Sequence, residues 1–88
     1  MTSEQFLKSA QAALKGFKYE RIEVFLEEDD VFLIEIISDE FKGVSLNNRI
    51  NMMISKFMRL SMSIGDYQIV YGPLTVNEKD SGISESKL

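Results

Sequence analysis

Hydrophobic positions along this chain follow two periods. Near the N-terminus Phe6, Ala10, Ala13, Leu14 and Phe17 recur at the spacing of one helical face. Thr2 with Gln5 has the form of a capping box before that face, and Gly16 suits its end. From Arg21 the period falls to two: Ile22, Val24 and Leu26 alternate with Glu23 and Phe25, and after the acidic run at 27–30 a β-branched stretch covers residues 31–37. This predicts a hairpin. Ser45, after Gly43, is a good N-cap for a second amphipathic helix over about 46–60, with Leu46, Ile50, Met53, Ile54 and Phe57 on its apolar face. Tyr67, Ile69 and Tyr71 then alternate with Gln68 and Val70, predicting a third strand stopped by Gly72 and Pro73. Beyond Asn77 the residues are small and polar with no apolar face. The expectation is one domain over 1–76 and a disordered tail over 77–88.

The order helix, strand, strand, helix, strand implies an α+β fold in which two helices cover one face of a small three-stranded sheet. With 88 residues and 44% hydrophobic content, the chain has the make-up of a single folded domain, not a disordered one. It contains no cysteine and no histidine. Stability must therefore come from packing, and nothing argues for an oxidising compartment. The first residues lack the basic start and apolar run of a secretory signal, and the longest apolar stretch is too short to cross a bilayer. The expected location is the cytoplasm.

Net charge is −4, but its distribution is uneven. Residues 19–40 hold nine acids against Arg21, whereas residues 41–60 hold Lys42, Arg49, Lys56 and Arg59 and no acid. Catalysis finds little support, because Ser38, Ser45, Ser61 and Ser63 have no histidine to activate them. The four consecutive acids at 27–30 lack the spaced ligands and glycine of a calcium loop and read as a solvated turn.

Phe41, Gly43, Ser45 and Arg49 resemble the signature of the BolA-like family, small α+β domains related in shape to the type II KH fold. The resemblance covers roughly residues 3–75 in element order. It implies binding, not catalysis, with monothiol glutaredoxins as partners. Family members carry a histidine just before the third strand, and a histidine or cysteine between the first two strands, that help hold a [2Fe-2S] cluster. Here those regions read Ser-Ile-Gly-Asp-Tyr-Gln and Glu-Glu-Asp-Asp, and Ile50 replaces the histidine that follows the signature arginine. Carboxylates substitute poorly for imidazole or thiolate at such a centre, so no iron-sulfur ligation and no cofactor is expected.

The expected activity is therefore contact. Lys42, Arg49, Lys56 and Arg59 offer charge to an acidic partner, and Met52 and Met58 offer adaptable apolar surface. Arg49, at the edge of the apolar stripe, reads either as a solvated surface charge or as a guanidinium that holds a carboxylate or a partner. The alternative is a KH-like nucleic-acid-binding or transcription-regulatory module, although the Phe-Lys-Gly-Val-Ser loop has one glycine where a KH loop has two. Oligomeric state is left open by the sequence.

Overall fold

A computed structural model of the chain describes residues 1–28 and 30–81. The elements are α1 (Ser3–Ala13), β1 (Arg21–Glu28), β2 (Val31–Ile37), a 3-10 turn (Asp39–Phe41), α2 (Leu46–Lys56), α3 (Met58–Ser63), β3 (Gln68–Leu74) and α4 (Val76–Ser81). The sheet order is β1-β2-β3, with β1 antiparallel and β3 parallel to β2. Adjacent parallel strands cannot be joined by a tight turn, and here the crossover from β2 to β3 carries α2 and α3. Among the described residues no helix is long and apolar enough to cross a membrane.

The capping box at the first helix is present in both directions. Gln5 N donates to Thr2 Oγ1 at 3.1 Å and Thr2 N donates to Gln5 Oε1 at 2.9 Å, so two first-turn amides that the helix cannot satisfy are satisfied locally. Phe6, Ala10 and Leu14 are buried and pack on Phe32, Ile34 and Ile36 of β2, with Met53, Phe57 and Ile64 closing the core from the other helices. Phe6 stacks on Phe32 with ring centroids 4.3 Å apart. Strand alternation puts Ile22, Val24, Ile69 and Tyr71 on this same face, where they pack against the core. The opposite face carries Glu23, Phe25, Leu33, Glu35 and Val70, and Lys79 of α4 reaches onto it to bond Glu35 at 2.7 Å.

The structure departs from four expectations. The second helix is not continuous to residue 60: Phe57, with φ −97° and ψ 8°, separates α2 from α3 while entering the core itself. Its buried stripe is centred on Arg49, Met53 and Phe57, so Ile50 is only half-buried, and Leu46 and Ile54 are exposed. Gly72 and Pro73 do not stop the third strand, which runs through them to Leu74. A proline is tolerated there because β3 is an edge strand and has no ladder donor to lose on its outer side. Finally, residues 77–81 of the expected tail belong to α4. The rest of that tail, from residue 82, and Asp29 of the acidic turn lie outside the described residues.

Candidate partner-binding face

The joint between β2 and α2 sets the orientation of the second helix. Ser38, buried, donates its hydroxyl to Lys18 O at 2.6 Å and accepts from Glu40 N at 3.0 Å, starting the 3-10 turn. Phe41 then drops into the core, and Gly43 at φ 73° reverses the chain in a region that disfavours side chains. Ser45 caps α2 by accepting from Asn48 N at 3.2 Å. The four signature positions thus build the entrance to the helix.

The fourth of them, Arg49, turns inward. Its Nε donates to Val44 O at 2.8 Å and its Nη1 to Pro73 O at 3.2 Å, while Nη1 and Nη2 form a fork on the Glu78 carboxylate at 2.7 and 3.2 Å. The guanidinium also lies 5.7 Å from the Phe41 ring centre. Arg49, expected among the partner-binding residues, is bonded internally as a clamp joining α2, β3 and α4. A planar, delocalised cation suits this place because it can serve several acceptors in one plane at modest desolvation cost.

Glu78 completes a second capping box. Its Oε1 accepts from Thr75 N at 2.9 Å, and its own N–H donates to Thr75 Oγ1 at 3.1 Å. The hydrogen bonds from Arg49, and then from Thr75, hold its carboxyl below the usual glutamate range. Beside it, the hydrogen bond to Glu35 raises the Lys79 ammonium above its ordinary value. The sequence carries the signal for this terminus as Thr75-Val76-Asn77-Glu78, a capping pattern overlooked because no apolar stripe follows it.

The remaining expected site residues do not form one patch. Lys42 is exposed in the loop before α2 and pairs loosely with Asp39 at 3.7 Å. Met52, partly packed on the core, lines a shallow depression with Asn48, Asn51, Ser55 and Lys56. The Lys56 ammonium stands 5.3 Å from the Phe17 ring centre. Arg59 is exposed on α3. Met58 faces elsewhere, into an open groove between α2/α3 and β3 lined by Ile54, Met58, Ser61, Met62, Ile69 and Tyr71. Ile54, Met58 and Met62 are 46, 55 and 77% exposed, an apolar grouping that no element of the described chain covers. Burial on the inner side of this groove raises the Tyr71 phenol above its ordinary value. Sequence reasoning missed Ile54, placed in the core by periodicity, and passed over Met62 as a site residue.

Of the two regions that would supply cluster ligands in a BolA-like protein, the acidic turn includes Asp29, outside the described residues, and the one before β3 is described. Before β3, Tyr67 stacks on Phe32 with centroids 5.1 Å apart, and its hydroxyl accepts from the N-terminal ammonium at 3.2 Å. Tyr67 thus packs against the core. Among the described residues no three carboxylates converge on one point. A donor set of oxygen alone does not fit a [2Fe-2S] centre.

A three-stranded mixed sheet with helices packed on one face, and an edge strand entered from a helix pair, defines a small α+β domain of the BolA-like fold. No family model and no curated protein matches the chain in sequence. Solved structures do. BolA1 from Arabidopsis thaliana superimposes with a TM-score of 0.65 at 18% identity, over 81% of this chain and 92% of that one. The BolA domain of SufE1 from Arabidopsis thaliana gives 0.68 at 21% identity, over 89% and 98%. A bol-like protein from Babesia bovis gives 0.67 at 16% identity, over 94% of each chain. The fold expected from the helix-entry signature is the fold observed.

Proposed function

We propose that this chain is a non-enzymatic BolA-like binding or regulatory domain that acts in the cytoplasm by protein-protein contact and does not itself ligate an iron-sulfur cluster. A monothiol glutaredoxin is the partner that the likeness suggests. The observation that carries this reading is the uncovered groove of Ile54, Met58 and Met62 on a helical segment whose exposed charges are cationic. Methionine is unbranched and polarizable, so it adapts to a partner surface without a preformed pocket. Lys56 and Arg59 supply charge that steers an acidic partner, with Lys42 exposed in the loop before α2. One structural neighbour is a BolA domain of another protein, which supports a module that works by attachment.

The test is an NMR titration of the labelled chain with apo glutaredoxin, with cluster-loaded glutaredoxin, and with a short single-stranded oligonucleotide. The expected result is shifts on α2 and α3 with glutaredoxin, and a visible cluster spectrum that this chain leaves unchanged. Shifts with the oligonucleotide alone, lost steeply as salt rises, would replace this reading with the KH-like nucleic-acid one. A new heteromeric cluster spectrum would overturn the argument from the missing ligands.

A further inference from the structure

The two edges of the sheet differ in a way that bears on how a partner could attach. On β1 the edge carries Arg21, Glu23, Glu27 and Glu28, and its pairing is irregular between Leu26 and Glu28. Charges and irregular pairing are the usual means of keeping an edge from pairing with another chain. β3 is the opposite edge, and its seven residues carry no charge.

Which backbone groups of β3 are free follows from two bonds at its ends. Gln68 N donates to Asp30 O at 2.7 Å, and Leu74 O accepts from Ser38 N at 2.8 Å. In a parallel strand the N–H and C=O of one residue point to the same side, and the side alternates along the strand. Gln68, Val70, Gly72 and Leu74 therefore face β2, and Ile69, Tyr71 and Pro73 face outward. Pro73 has no N–H, and its carbonyl takes the Arg49 bond, so the clamp closes that end of the edge. Among the described residues, what is left open is a window of four backbone groups, the N–H and C=O of Ile69 and Tyr71. The side chains of the same two residues line the groove beside Ile54, Met58 and Met62. Its helical wall, from Leu46 to Ser63, contains no acid, and Arg59 lies exposed three positions from Met62.

We propose that the β3 edge accepts an extended segment of a partner protein by strand addition. The segment pairs with Ile69 and Tyr71, fills the groove with apolar side chains at alternate positions, and brings an acidic residue to Arg59. This mode draws affinity from main-chain bonds and selectivity from the pockets beside them. It rests on the protein-contact reading above and specifies its chemistry. A second copy of this chain suits the window less well. Its β1 edge is barred by charge, and two β3 edges brought together would supply no acid to either Arg59 from the facing helical walls. A nucleic-acid strand would need a groove of cations to track its phosphates, whereas this one is lined with isoleucine and methionine.

The test begins with a displayed library of random nonapeptides selected on the full chain, followed by synthesis of the enriched peptides. Expected are sequences with apolar residues at every second position and a flanking aspartate or glutamate. Their binding should slow amide exchange at Ile69 and Tyr71 by at least about tenfold. Arg59→Glu and Met62→Glu, both at exposed positions, should each weaken binding by about tenfold or more while the free protein keeps its amide spectrum. Methylating alternate peptide nitrogens should abolish binding. Peptides enriched with helical spacing, indifference to N-methylation, protection of the edge by an oligothymidine instead, or concentration-dependent protection without any peptide would each overturn strand addition. Glutaredoxin shifts on α2 and α3 that leave Ile69 and Tyr71 exchange unaltered would overturn this inference alone and leave the protein-contact reading standing. Absence of binding to every probe by the folded chain would remove both.

Discussion

Substituting Glu78 with alanine tests the clamp most directly. The change removes two charge-assisted bonds to Arg49, at 2.7 and 3.2 Å, and the bond from Thr75 N at 2.9 Å, while Arg49 stays in place with the carbonyls of Val44 and Pro73. Breaking a fully buried ion pair by deleting one partner costs about 3–5 kcal/mol, and an exposed pair is worth about 0–1 kcal/mol. Here the arginine side chain is 11% exposed and the glutamate 31%, so the pair is neither fully buried nor fully in water. The cost should fall between those limits, about 2 kcal/mol, with the lost capping bond within that figure. For a domain of this size that corresponds to a fall in melting temperature of roughly 8–16 °C. Thermal and urea unfolding of the wild type, Glu78→Ala, Arg49→Met and the double variant would give the coupling between the two residues. A Glu78→Ala effect below about 0.5 kcal/mol, or no coupling in the cycle, would show that α4 is not held by this pair.

Acid should loosen α4 before it unfolds the core. The folded pKa of Glu78 is lowered, so its stabilisation is complete above the unfolded value of about 4.3 and is lost as pH falls below that toward the folded value; faster amide exchange over Val76–Ser81 in that range, absent in Glu78→Gln, would be the readout. Phe32→Ala removes a fully buried ring stacked between Phe6 and Tyr67 and should cost about 3–5 kcal/mol in denaturant unfolding; a loss under 1 kcal/mol would mean that this stack is not part of a tight core. Gly43→Ala meets no atom within 4 Å, but its φ of 73° should still cost about 1–2 kcal/mol, and an unchanged melting temperature would contradict the strain.

The sequence by itself determined the local elements of this protein, because they are written in patterns that span only a few residues. The first helix with its Thr2–Gln5 cap, the hairpin from Arg21 to Ile37 and the Ser45 cap are all fixed by neighbours in the chain. The absence of histidine and cysteine likewise excluded imidazole and thiolate ligands without any structure. Tertiary structure decided everything that depends on residues far apart in the chain. An arginine at position 49 reads as surface until Glu78, 29 residues later, arrives to take its charge. That pairing draws the buried stripe of α2 onto Arg49, Met53 and Phe57, and leaves Leu46 and Ile54, which periodicity places inside, facing water. It also gives α4 a reason to exist, since a six-residue helix has too few internal bonds to persist alone and forms because it is capped and clamped. The open edge of β3 is likewise a product of strand order: Gln68 to Leu74 would read the same in the middle of a sheet, and only the placement of β3 beyond β2 leaves Ile69 and Tyr71, among the described residues, with free backbone groups beside the methionines.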